Sequence, residues 1–72
     1  MLHNSLQIKV GKHIQELREL RGMTQQELAA KCNFEKSNMS RLEAGRVNPT
    51  LSTLEKVTKA LDISLAELFT FE

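Results

Sequence analysis

A chain of 72 residues has room for one domain with a modest core. Three glycines and one proline exclude a linker-rich or disordered chain, and a formal charge of +1 means that any basic surface must be concentrated on one face. The single cysteine, Cys32, excludes an intramolecular disulfide; no apolar run approaches the roughly 20 residues of a membrane span, and the opening MLHNSLQIKV lacks a secretion signal's basic start and apolar stretch, so the expected location is the cytoplasm.

The apolar residues follow helical spacing throughout, and no segment alternates as a strand does. Leu6, Val10, Ile14 and Leu17 step by four, four and three, with Leu20 beside them, which predicts a first helix over about 5–21 ended by Gly22. Thr24-Gln25-Gln26-Glu27 has the form of a capping box, opening a second helix with Leu28, Ala29 and Cys32 inward. Asn33 tolerates the left-handed backbone and is expected to stop that helix. A third helix is expected over about 35–44, with Met39 and Leu42 inward and Gly45 at its end. Asn48-Pro49-Thr50 breaks the chain, and Thr50 can cap a fourth helix with Leu51, Leu54, Val57 and Leu61 inward. Asp62 and Ile63 make the next turn. Ser64-Leu65-Ala66-Glu67 is a second capping box, opening a short helix over about 65–70 with Leu65, Leu68 and Phe69. The expectation is an all-α, compact five-helix domain over 1–72.

Two short helices joined by a tight turn at Asn33, with the small Ala29 at the centre of the first, have the layout of a helix-turn-helix spanning about 24–44. Here the sequence resembles the phage repressor and Cro type of helix-turn-helix domain, the XRE family, whose fold is lambda-repressor-like. The matching pieces are T-Q-x-E-L-A at 24–29, S-R-L-E-x-G at 40–45, N-P at 48–49, T-L at 53–54, K-A-L at 59–61 and S-L-x-E-L-F at 64–69. Val10-Gly11-Lys12, Ile14 and Leu17-Arg18 match upstream. Each piece is weak, but the set in this order and spacing is specific. Two departures stand out. Asn33 replaces the family's usual glycine without altering the expected fold. Glu35 replaces the usual serine or threonine at the start of the recognition helix; a glutamate suits the helix dipole, is a poor N-cap, and brings negative charge near where phosphates should lie.

The resemblance implies a sequence-specific transcriptional regulator whose partner is double-stranded DNA. At 100° per residue, Lys36, Ser37, Ser40, Arg41 and Ala44 fall opposite Met39 and Leu42, forming a stripe without a carboxylate. Lys36, Ser37, Ser40 and Arg41 are the candidate base readers, since Lys and Arg donate to guanine and hydroxyls suit either a base or a phosphate. Gln25, in the first turn of the second helix, together with Asn38, Arg46 and Asn48, is expected on the DNA backbone. The family implies a structural pair between Arg18 and Glu43. Leu65, Leu68, Phe69 and Phe71 are more apolar surface than a short helix needs, and are expected to form a homodimer interface.

Alternatives to these roles are plain ones. Cys32 reads as core, His13 as helix surface and His3 as terminal; the three lack the close paired spacing of a zinc site, so no metal is expected. No cofactor, small-molecule effector, nucleophile–base constellation or phosphate loop is evident, so no enzyme is expected. Two other functional classes compete with the regulator. An antitoxin that also grips a toxin would be expected to carry a toxin-binding tail, and little follows Phe69. A scaffold that has lost DNA binding would not be expected to keep Lys36 and Arg41 on an exposed stripe.

Overall fold

Capping chemistry sets where the helices begin. In the computed structural model, which describes residues 5–71, the Thr24 hydroxyl accepts from the Glu27 amide at 3.1 Å while the Glu27 carboxylate accepts from the Thr24 amide at 2.8 Å. Ser64 and Glu67 repeat the exchange at 3.0 and 2.9 Å, so both expected capping boxes are formed. Thr50 caps through its hydroxyl on the Thr53 amide. The elements are α1 (Ser5–Leu20), α2 (Gln25–Cys32), α3 (Lys36–Glu43), α4 (Leu51–Leu61) and α5 (Leu65–Leu68), with no strand among the described residues. None of these helices is long and apolar enough to cross a membrane.

Val10, Ile14, Leu28, Ala29, Cys32, Met39, Leu42, Leu54, Val57, Leu61 and Leu68 form one buried cluster contributed by all five helices. Helix α3 packs on both α1 and α2, and α4 closes the core from the α2 side, with α5 laid across α4 and α1. Helix α1 comes very close to the end of α3: a Cβ built on Gly11 would lie 2.4 Å from the Leu42 carbonyl oxygen. Gly45, at φ +74, leaves equally little room against Ile8, whose Cα would be 2.6 Å from an added Cβ.

Three expected core residues lie outside. Leu6, Leu20 and Leu51 are exposed, because helical periodicity assigns a face but not whether a neighbouring element reaches that far along the helix. Leu51 opens α4 and Leu20 closes α1. Thr58 is buried instead, its hydroxyl donating to the Glu55 carbonyl at 2.9 Å. The α4 turn at Asp62 is left-handed, φ 58 and ψ 48, a non-glycine αL cap like that at Asn33.

Candidate nucleic-acid interface

The turn between α2 and α3 is built on backbone. Asn33 takes φ 60 and ψ 39, its amide donates to the Ala30 carbonyl at 3.1 Å, and the Phe34 amide returns to Ala29 at 2.8 Å. Two carbonyls at the end of α2 are thereby satisfied and the chain is redirected into α3. Phe34 is half-buried at this corner, with the Lys56 ammonium 5.8 Å from its ring centre. Glu35 occupies the N-cap with extended φ and ψ and makes no side-chain capping bond, as expected of a glutamate there.

Met39 and Leu42 are buried, so α3 is fixed in rotation and presents Lys36, Ser37, Asn38, Ser40, Arg41 and Ala44 to solvent. The expected stripe exists as a surface, and no carboxylate interrupts it. Among the described residues, none of Lys36, Arg41 and Arg46 is held in an ion pair. Arg41 has a neutral partner: its Nη1 donates to Asn38 Oδ1 at 2.9 Å, one turn back on the same helix. Arg46 and Asn48 follow α3 in the exposed loop that leads to α4.

Beneath this surface lies a polar network that orients it. Arg18 Nε donates to Glu43 Oε2 at 2.7 Å and Nη2 to Oε1 at 3.1 Å, a side-on pair buried between α1 and α3. A third donor, Nη1, reaches the Met23 carbonyl at 2.7 Å. The bond to Glu43 raises the guanidinium pKa beyond its ordinary value, against the opposing effect of burial. Gln25 Nε2 donates to the same Glu43 oxygen at 2.9 Å. Gln25, expected on the DNA backbone, is thus half-buried with one amide proton already committed. The expected Arg18–Glu43 pair is present, but its third member was not legible in the sequence, because nothing local links a glutamine at the head of α2 to the end of α3. The Asn38–Arg41 bond was also missed, although its i, i+3 spacing marks the two as neighbours on a helix.

Cys32 is buried against α4, its Sγ 3.8 Å from the Lys56 carbonyl oxygen. Burial pushes the thiol pKa up, and the Lys56 charge offsets part of this. His13 is half-buried rather than simply exposed: Nε2 lies 3.2 Å from the Glu67 carbonyl oxygen, Nδ1 is 3.8 Å from the Glu16 carboxylate, and the ring sits 5.8 Å from that of Phe71. No group of three or more His, Cys, Asp or Glu side chains converges among the described residues, and His3 lies outside them.

The apolar C-terminal set divides. Leu65 and Phe69 keep 39% and 41% of their surface free, as an interface requires. Leu68 has none, since it fills the monomer's own core, and its expected place in an interface is corrected. Phe71 packs on the core beside His13 and is half-buried. Four-residue α5 cannot hold itself in place, so one of its leucines must be spent as an anchor.

This architecture has counterparts among known proteins. The profile of the helix-turn-helix family matches residues 14–68. The HTH-type transcriptional regulator y4dJ of Sinorhizobium fredii is 43% identical over 61 residues, covering 85% of this chain and 79% of that protein. The immunity repressor protein of Bacillus phage phi105 is 42% identical over 59 residues, 82% of this chain but only 41% of the repressor. The restriction-modification controller protein C.AhdI from Aeromonas hydrophila superposes with a TM-score of 0.84 at 35% identity, covering 86% of this chain and 94% of the controller.

Proposed function

The chain belongs to the helix-turn-helix family of DNA-binding transcriptional regulators, and from that premise we propose that it acts as a homodimer on a pseudo-palindromic operator. The observation that carries the reading is the exposed, carboxylate-free stripe of α3, whose cations are in no ion pair among the described residues. In this reading Lys36, Ser37, Ser40 and Arg41 meet base edges in the major groove, while Gln25, Arg46 and Asn48 fix the domain on phosphates. Gln25 retains one amide proton for that purpose while the other holds Glu43. Leu65 and Phe69 supply the apolar centre of the dimer contact. Two α3 helices one DNA turn apart set the half-sites about ten base pairs apart. The setting is the cytoplasm.

The test is a binding titration against salt, using duplexes selected from a random pool. Affinity should fall with a log–log slope of about −0.9 per phosphate neutralised. Arg41→Ala should cost about 1–3 kcal/mol on the selected duplex and relax preference at one base pair per half-site. Arg46→Ala should weaken every sequence alike and flatten the slope by about one unit per monomer. A flat salt response removes the DNA reading, and an even loss for Arg41→Ala on all duplexes moves Arg41 to the backbone.

A further inference from the structure

We propose that Asn38 is a positioning residue for Arg41, presetting which edge of the guanidinium meets the base; this rests on the reading of Arg41 as a base contact. Arg41 is exposed and long, and an unrestrained side chain of that kind loses rotamer freedom when it docks. In the free protein it is already held, with Nη1 on Asn38 Oδ1 at 2.9 Å. Among the described residues no carboxylate forms an ion pair with it. Glu43, the one acid within α3, is committed to Arg18 and Gln25. A carboxamide is well suited to this task, because it orients the guanidinium without neutralising it, so the full charge remains available to DNA.

The bond has consequences for both partners. With Nη1 engaged, Nε and Nη2 remain as an intact pair of parallel donors, the arrangement that matches guanine O6 and N7. Bidentate reading of adenine needs one donor and one acceptor from the same carboxamide; a clamped Asn38 keeps both amide donors but only one free lone pair on Oδ1, and its orientation is set by Arg41 rather than by a base. The pair therefore acts as one unit in which Asn38 sets the orientation and the free Arg41 edge reads guanine. Ordering a flexible side chain before binding removes about 0.5–1.5 kcal/mol of docking cost, equivalent to about a 2- to 10-fold gain.

The experiment measures the affinity ratio between the selected duplex and the same duplex with the Arg41-dependent guanine replaced. The proteins are wild type, Asn38→Ala, Asn38→Asp, Arg41→Ala and the Asn38→Ala/Arg41→Ala double variant, each checked for an unchanged helical spectrum. Asn38→Ala should reduce the ratio by about 2- to 10-fold. Asn38→Asp keeps the acceptor, so it should retain the ratio while binding every duplex more weakly through its added negative charge. In the Arg41→Ala background, Asn38→Ala should leave the ratio as it is. If Asn38→Ala weakens all duplexes equally and flattens the salt slope, Asn38 is a phosphate contact and the proposal falls. It falls too if Asn38→Asp loses the ratio as alanine does. If Arg41→Ala itself leaves the ratio unchanged, the base-reading assignment fails first, a result separable from failure of the clamp alone.

Discussion

Gly11 shows how one missing side chain sets the spacing of the recognition helix. An added Cβ would lie 2.4 Å from the Leu42 carbonyl oxygen and 2.6 Å from that of Glu43, both backbone atoms that cannot swing aside. On helix propensity alone, Gly11→Ala should stabilise α1 by about 1 kcal/mol. Sterics should outweigh this, leaving the variant destabilised by about 1–3 kcal/mol in urea unfolding; a variant as stable as wild type would show that α1 and α3 can separate freely. Cys32 makes a different prediction. Its folded thiol pKa is raised by burial, so the unfolded chain releases the proton first as pH rises. Stability should be fully present below the ordinary thiol pKa, about 9, and decline above it. Cys32→Ala lowers stability at all pH values through the cavity it leaves, but should abolish the part of the alkaline decline that belongs to the thiol. Equal alkaline slopes in the two proteins would remove the thiol as the cause.

Between elements, the Arg18–Glu43–Gln25 network joins α1, α2 and the end of α3. Its value lies in orientation, since burying an ion pair gains little net stability whereas stranding one partner is costly. Arg18→Met should lower stability by about 3–5 kcal/mol, and adding Glu43→Leu should recover a large part of that loss. Melting of the single and double variants without DNA measures this; a double variant that melts no higher than Arg18→Met would show that packing, not the stranded charge, is what matters. The helix starts were legible in the sequence because Thr24–Glu27 and Ser64–Glu67 bond to their own neighbours, and Asn33 because its backbone preference is intrinsic. Lys36, Ser37, Ser40 and Arg41 were legible as a stripe once Met39 and Leu42 fixed the rotation of α3. Gln25 was half legible: its place at the head of α2 follows from the cap, but its partner is eighteen positions away. Leu6 and Leu51 misled because apolar character at a helix end does not say whether anything lies beyond it.

For the whole molecule, the decisive question is what covers Leu65 and Phe69. If the proposed dimer forms through them, glutamate at either position should leave the monomer folded but shift sedimentation at tens of micromolar from dimer to monomer, and lower operator affinity with it. Leu68→Ala should behave differently, costing about 2–5 kcal/mol of monomer stability, because that side chain is fully buried. If the glutamate variants remain dimeric, the interface lies elsewhere.

The division of labour within α5 has a thermal consequence. Four residues cannot sustain a helix in isolation, so α5 persists only while Leu68, the Ser64–Glu67 box and the His13 contact to the Glu67 carbonyl hold it down. Detaching it exposes far less apolar surface than melting the core and should need correspondingly less free energy. Its amides should exchange with deuterium sooner than those of Leu28 or Met39. If half-site pairing depends on Leu65 and Phe69, warming should then empty the operator while the helical spectrum is still that of the folded chain, making occupancy a reporter of temperature well below the melting point.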